Sequence, residues 1–320
     1  MNSMESVISD AVENPLIWVS QALGQPAISL PGISIYEGDC LTYMERLPAE
    51  IVSLTLTSPP YNIGKEYESP LPLDDYIAWS ERWMMEVHRL TSTRGAFWLN
   101  LGYLEVSEKA KALPIPYLLW NRIPFYIVQE VVWNYGAGVA ARRSFSPRNE
   151  KLLWCVKNPV DYTFNLDDIR DKDVKYPLQR KNGKLKCNPN GKNPTDVWYV
   201  PKVTSGSGRA SKERTDHPAQ FPIALVDRIV RGCSNKGELV LDPFIGSGST
   251  AEACLRSGRA CLGFEVKADY IEIAARRLKH CLKKSLVSGH RSSYLLVHNV
   301  LSLCFSESLE RAACCPVGAF

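Results

Sequence analysis

Two short stretches of the chain carry residue types and spacings that could do chemistry. The first is Thr57-Ser58-Pro59-Pro60-Tyr61-Asn62. Prolines stiffen a loop and carry no N–H, so the carbonyl of Pro59 can face outward beside the hydroxyl of Ser58, and Tyr61 adds an aromatic face. Such an acceptor cluster suits an amino group on a flat ring. The amine's lone pair is delocalised into the ring, and acceptors that draw its two hydrogens aside free that pair to attack a methyl-cation equivalent. Taken alone, the same residues also read as a Ser-Pro-Pro turn that ends a strand.

The second stretch runs from Leu239 to Thr250 as strand, glycine turn and helix start, with Asp242-Pro243-Phe244 ahead of Gly246-Ser247-Gly248. Glycines allow close approach of backbone to a ligand, and the N–H groups of the following helix favour an anionic or carboxylate-bearing group. A Gly-x-Gly by itself is equally a tight structural turn. Glu265, 19 residues after Gly246 at the end of the next strand, adds a group able to accept both hydroxyls of a ribose. That spacing fits any nucleoside cofactor, NAD included. The missing third glycine of the dinucleotide fingerprint favours a cofactor without a pyrophosphate.

The flanking pattern supplies elements to position both stretches. Ile33 to Tyr36 reads as a short strand, Leu41 to Leu47 as a helix, and Ile51 to Thr57 as a strand buried on both faces, stopped by Pro59-Pro60. A helix over 73–90, a strand over 96–100, a helix over 114–123 and strands over 126–133 and 150–156 follow. After an irregular stretch, a helix is expected over 222–231, a strand over 239–241, a helix over 250–256, a strand over 260–264 and a helix over 269–282. Strands alternating with helices predict an α/β fold, in which ligands sit at the carboxyl ends of the strands.

Composition bounds the rest. The 320 residues are 45% hydrophobic and 22% charged, with 38 Lys and Arg against 34 Asp and Glu, which excludes disorder over most of the length. No uncharged apolar stretch approaches the roughly 20 residues that span a bilayer. The N-terminus carries Glu5, Asp10 and Glu13 where a secretory signal would be basic and then apolar, so a cytoplasmic protein is expected. Ten cysteines without a CxxC pair read as buried free thiols, and five histidines show no metal-ligand spacing, so no metal site is expected.

The two motifs together resemble the amino-group DNA methyltransferases that use S-adenosylmethionine, in the circularly permuted β group whose catalytic SPPY precedes the cofactor motif. Further pieces match in order: Gly38-Asp39-Cys40, SPRNEKLLWCVK at 146–157, HPAQFPIALVDRIV at 217–230 with Phe221 where lysine is usual, and Gly263-Phe264-Glu265 followed by Asp269-Tyr270. The resemblance covers about residues 33–283. It implies a Rossmann-like methyltransferase sheet with helices on both faces and a small irregular target-recognition lobe. The divisions are then an arm over 1–32, a catalytic half over 33–165, a target-recognition region over 166–216, a cofactor half over 217–283 and a tail over 284–320.

Carried over by position, the resemblance implies that Ser58, Pro59, Pro60 and Tyr61 hold a base flipped out of the duplex. Asp39, Pro218, Pro222, Asp242, Phe244, Gly246 and Gly248 would line the cofactor pocket, with Glu265 on the ribose. Transfer would be direct, since the Pro-Cys nucleophile of carbon-5 cytosine enzymes is absent. Serine in the first motif position resembles enzymes that make N4-methylcytosine, whereas aspartate or asparagine marks most adenine-N6 enzymes; some SPPY enzymes methylate adenine, which remains the alternative. A non-catalytic nucleic-acid-binding protein and a methylase of glutamine amides in protein are disfavoured by the intact motifs and by serine in place of asparagine.

Between Arg170 and Arg214 stand 12 basic residues against four acidic ones. Set between two methyltransferase motifs, this run is read as phosphate-binding loops on double-stranded DNA, with Arg180, Lys181, Lys184, Lys186, Lys192 and Arg209 as contacts. The family further implies a bacterial monomer that protects DNA from a restriction endonuclease without forming a stable complex with it.

Overall fold

Among the described residues, nine strands pair into one mixed sheet, and two short hairpins stand apart from it. The computed structural model describes residues 15–65, 68–136, 138, 140–204 and 211–287. In chain order it contains helix α1 (Leu16–Leu23), strands β1 (Ile28–Leu30) and β2 (Ile33–Glu37), helix α2 (Cys40–Met44), strand β3 (Val52–Thr57) and helix α3 (Leu73–Leu90). Strands β4 (Thr91–Leu101), β5 (Tyr103–Val106) and β6 (Ala110–Pro114), helix α4 (Ile115–Leu119), and strands β7 (Tyr126–Asn134) and β8 (Asn149–Val156) follow. Next come helix α5 (Leu166–Ile169), strands β9 (Arg180–Lys181), β10 (Lys184–Leu185) and β11 (Val197–Tyr199), and helix α6 (Ile223–Cys233). Strand β12 (Leu239–Asp242), helix α7 (Ser249–Ser257), strand β13 (Ala260–Glu265) and helix α8 (Ala268–Val287) complete the order. The described residues up to Ala275 form one compact unit, and a second begins at Arg276, within α8.

The sheet runs β1-β2-β13-β12-β3-β4-β8-β7-β11. Its five central strands, β2, β13, β12, β3 and β4, are mutually parallel. Strand β8 is antiparallel to both β4 and β7. Strand β12, from late in the chain, inserts beside β3, from early in the chain, so the two chemically interesting stretches end side by side. The chain leaves β12 toward β13 on one side and leaves β3 toward β4 on the other, which opens a crevice at that junction.

Side chains alternate across the sheet, as period-two geometry requires. Phe97, Leu99, Leu153, Cys155, Leu241 and Leu262 point into a core shared with Leu16, Leu41, Trp83 and Leu119 of helices α1 to α4. On the opposite face Trp98 stacks on Trp154 and on Trp198 at 5.6 Å each, and its indole N–H donates to Cys233 Sγ of α6 at 3.3 Å. Helix α3 forms over the residues its spacing predicts, with Asp74 and Asp75 in its first turn and Arg89 in its last, complementing the helix dipole.

Three features depart from the sequence pattern. The weakly patterned arm holds α1 and an antiparallel edge strand, β1. Within the irregular stretch, Val197–Tyr199 pairs in parallel with β7 and so belongs to the main sheet. The Tyr103–Val106 and Ala110–Pro114 strands form a hairpin that no alternating pattern announced. The seven described cysteines are all free, six of them buried. Among the described residues no helix is long and apolar enough to cross a membrane, and no cluster of side chains could hold a metal. The expected tail beyond residue 287, with Cys304, Cys314 and Cys315, lies outside the described residues.

Candidate active site

The parallel strands all deliver their carboxyl ends to one edge of the sheet, and there a cleft of about 1740 Å³ opens. That volume exceeds the roughly 300–1,000 Å³ of a typical small-molecule pocket, leaving room for a cofactor and a second ring together. Its walls include Asp39 after β2, Ser58 to Tyr61 after β3, Asn100 and Gly102 at the end of β4, Asp242 to Ser247 after β12, and Glu265 after β13.

Asp242 sits at the junction of the two halves. Its residue is 3% exposed. Thr57 at the end of β3 donates to Oδ1 at 2.7 Å, Thr250 in α7 donates to Oδ2 at 2.6 Å, and the Phe244 N–H reaches Oδ1 at 3.2 Å. Burial pushes its carboxyl up to about 6, against the pull of those three donors, and the charge of Glu265 adds to the rise. A carboxylate kept in so dry a place is expensive, and one well-attested compensation is a cationic ligand.

Glu265 closes the same pocket. It accepts the Gly246 N–H at 3.0 Å and the Lys267 N–H at 2.9 Å, and burial again raises its carboxyl despite these bonds. Gly246 has φ +49°, and a Cβ there would meet Nε2 of His217 at 2.8 Å. The Ala219 N–H donates to Nδ1 of His217 at 3.2 Å, so the neutral ring carries its proton on Nε2. The glycine therefore keeps a narrow space between turn and imidazole. Gly246→Ala is expected to weaken cofactor binding at least about tenfold and to cost about 1–2 kcal/mol of stability, read by calorimetry and denaturant titration. Retention of full affinity in that variant would assign the glycine to the turn alone.

Not every expected pocket residue reaches the cleft. Asp39, Pro218, Asp242, Phe244, Gly246 and Glu265 line it; Gly248 and Pro222 do not. Gly248, at φ +77°, turns the chain into α7, and a Cβ would meet that of Ala274 at 3.0 Å, so its smallness serves helix packing. Pro222 is the N-cap of α6, and its carbonyl accepts the Leu225 and Val226 N–H groups. Phe221, the departure from the family pattern, lines the cleft with its ring edge toward Trp133 and its carbonyl accepting from Ser249 Oγ at 3.0 Å.

On the other side of the junction the SPPY loop forms a polar cluster. Ser58 Oγ lies 2.9 Å from Tyr61 Oη, which donates to Glu150 Oε2 at 3.1 Å. Asn100 Nδ2 reaches Tyr61 Oη at 2.6 Å and Glu150 Oε2 at 2.7 Å. The Tyr61 ring covers Gly102, where a Cβ would meet Cε2 at 2.8 Å. Tyr61 is thus partly buried and tethered by its hydroxyl rather than freely presented. Pro59 and Pro60 both line the cleft, and the carbonyl of Pro60 is taken by the Tyr76 hydroxyl at 3.0 Å. Beyond the loop, Glu68 accepts the N–H groups of Asn62, Ile63 and Lys65 and holds the chain that leaves the site.

Asn100 and Glu150 were not singled out by sequence. Their signal was a polar residue interrupting an apolar strand, Phe97-Trp98-Leu99-Asn100-Leu101, and an acid opening β8. The basic residues divide as well. Arg180, Lys181, Lys184 and Lys186 are exposed on or beside the β9–β10 hairpin, turned by Asn182 and Gly183 at positive φ. Lys192 pairs with Asp171 at 3.6 Å, and Arg209 lies outside the described residues. None of these described basic residues lines the cleft; Lys202 and Arg214 do. A second exposed basic stretch, Arg142 and Arg143 with the fully exposed Phe145, stands on the rim between β7 and β8.

A mixed α/β sheet that brings two acids, a glycine turn and a proline-stiffened loop to one large cleft at the carboxyl ends of its parallel strands defines the class of an α/β enzyme. Residues 52–276 match the N6/N4 family of DNA methylases. The chain is 56% identical over 269 residues to the type II methyltransferase M.ScaI of Streptomyces caespitosus, covering 84% of this chain and 88% of the relative. In fold it resembles the PvuII DNA methyltransferase (cytosine-N4-specific), with TM-score 0.62 and 20% identity over 79% of this chain and 88% of that one. It also resembles a putative DNA modification methylase of Thermus thermophilus complexed with S-adenosyl-L-methionine, with TM-score 0.53 and 21% identity over 77% and 93% of the two chains. The chain therefore belongs to the N6/N4 DNA methylase family, among the type II methyltransferases of restriction-modification systems.

Proposed function

We propose that the protein methylates the exocyclic N4 amine of cytosine in a short duplex sequence, using S-adenosylmethionine, and thereby protects that sequence from a partner endonuclease. The observation that carries this reading is the adjacency of Ser58 to the buried Asp242, through the 2.7 Å bond of Thr57 across the crevice. It sets an amine-accepting loop next to a pocket built for a positively charged nucleoside.

The residues present fit that cofactor. Asp39, Asp242 and Glu265 give the pocket negative charge, and the Gly246 turn leaves backbone-width space beneath His217. Phe244, braced edge-on by Trp83 at 5.3 Å, offers an apolar wall. When bound, the cofactor supplies a methyl group on a cationic sulfur, which is electrophilic without a metal. Glu265 accepts ribose hydroxyls, Asp242 and Asp39 favour the positive charge, and Pro218 bounds the methionine end. Ser58 Oγ and the Pro59 carbonyl accept the amine's hydrogens, and the Tyr61 ring bounds the flipped base. DNA lies across the rim, its phosphates met by Arg142, Arg143 and the 180–186 hairpin. Serine, a small neutral acceptor at the head of the loop, supports cytosine.

DNA incubated with the protein and cofactor, then digested to nucleosides and weighed, is expected to contain N4-methyldeoxycytidine. N6-methyldeoxyadenosine in its place would overturn the cytosine assignment and keep the enzyme class. The absence of any methylated base would overturn both.

A further inference from the structure

We propose that Glu150 receives the proton that the target amine releases, passed to it through Ser58 and Tyr61. The proposal rests on the methyl-transfer reading above and extends it to residues outside the SPPY motif.

The direction of the chain follows from donor and acceptor capacity. Tyr61 donates to Glu150 Oε2 at 3.1 Å, and with Glu150 as the carboxylate, which only accepts, its one proton stays on that bond. Asn100 Nδ2 donates to both partners, at 2.6 Å to Tyr61 Oη and at 2.7 Å to Glu150 Oε2, and fixes their separation. Having given its proton, Tyr61 Oη can only accept from Ser58 across the 2.9 Å contact. Ser58 Oγ then turns lone pairs alone toward the cleft, which welcome an amine N–H and repel a keto oxygen.

The same chain conducts. As the nitrogen–methyl bond forms, the donor's carbon–sulfur bond breaks and the amine's lone pair is used. An N–H bond then breaks, its electrons returning to nitrogen and to conjugation with the ring. That proton binds Ser58 Oγ, the proton of Ser58 passes to Tyr61 Oη, and that of Tyr61 passes to Glu150 Oε2. Ser58 and Tyr61 end neutral with their hydroxyls reversed, and Glu150 ends as a carboxylic acid.

The setting suits the end point. Asn100 is 1% exposed, and the Glu150 carboxylate is enclosed although the residue keeps some surface toward the cleft. Burial raises the affinity of Glu150 for a proton, as the end of such a chain requires, against the pull of the Asn100 and Tyr61 bonds and the nearby Lys202 charge. The titratable groups facing it are Tyr61 from the loop, Tyr135 beyond β7 and Lys202, with Tyr103 and Arg148 next in line beside Tyr135.

The test uses the full chain with duplex DNA and saturating S-adenosylmethionine. Glu150→Gln is expected to lower the single-turnover rate about 100-fold with cofactor affinity unchanged, and Glu150→Asp to recover part of the loss. The fall of the wild-type single-turnover rate on acidification should vanish in Glu150→Gln. In infrared difference spectra the wild-type product complex should show a new protonated carboxyl, missing in Glu150→Gln and in Tyr61→Phe. Should Glu150→Gln fail to fold, Tyr61→Phe carries both readouts. A Gln variant that keeps the rate and its acid fall, or a carboxyl band that persists in it, overturns the relay. If the wild type makes no methylated exocyclic amine, the functional reading itself has failed; methylation by wild type and Gln variant alike fails the relay alone.

Discussion

Ser58→Ala is expected to slow methyl transfer about 10²–10³-fold while leaving cofactor affinity within about twofold of wild type. The size follows from what one preorganised polar group contributes when it acts on charge developing in a water-poor cleft. Under the proposed function Ser58 Oγ is such a group: it stands on a proline-stiffened loop, held by Tyr61 at 2.9 Å, and lines the cleft. Alanine removes the acceptor and leaves the Pro59 carbonyl to engage the amine alone. The side-chain partners of Ser58 are Tyr61 and Asn100, on the loop side of the junction, so binding and rate should separate. Single-turnover methylation of a duplex and calorimetric titration of the cofactor give the two numbers. Equal losses in both, or no loss of rate, would remove Ser58 from its assigned role.

Asp242 should show the opposite separation, with function lost and stability kept. Its carboxyl is raised from the usual 3.8 to about 6 by burial. The folded state thus binds the proton more tightly than the unfolded state, so ionisation of Asp242 lowers stability. That penalty is absent below about pH 4, grows between the two values and is complete above about 6, reaching about 3 kcal/mol at 1.36 kcal/mol per unit. Asp242→Asn removes the charge and keeps the shape: its oxygen can accept from Thr57 and the Phe244 N–H while its NH₂ donates to Thr250 Oγ1. At pH 7.5 this variant is expected to match or exceed the wild type by about 1–2 kcal/mol in denaturant titration.

The cationic cofactor should bind Asp242→Asn at least about tenfold more weakly, and wild-type affinity should fall as pH drops through about 6 while that of the variant stays flat. Asp242→Ala is a different lesion. It strands two hydroxyls and an N–H in a dry site and should cost about 3 kcal/mol. An asparagine variant that binds cofactor as the wild type does would show that the buried charge serves the fold and not the ligand.

Much of the fold was legible because its central strands declare themselves. Val52–Thr57 is buried almost throughout, and a run of that kind ended by two prolines has few other readings. The edge strands were not legible. Ile28–Leu30 and Val197–Tyr199 are three residues each, too short for a periodic signal, and form only because a sheet edge with unpaired N–H and C=O groups is waiting for them. In the site, Gly248 and Pro222 stand in motifs whose other residues line the cleft and do not line it themselves: Gly248 lies close against Ala274 and Pro222 caps α6.

By itself the sequence determined the two motifs, the α/β alternation and the acidic residue a ribose would need, since each is a local matter of residue type and spacing. Only the tertiary structure decided what stands beside them. Thr57 and Asp242 are 185 residues apart and meet at 2.7 Å because β3 and β12 pair in parallel. Asn100 and Glu150 join Tyr61 because β8 runs antiparallel to β4 and begins at the crevice where β4 ends. No spacing rule predicts such meetings: the partners come from distant points in the chain, and strand pairing, which is set by the whole sheet, brings them within hydrogen-bond reach.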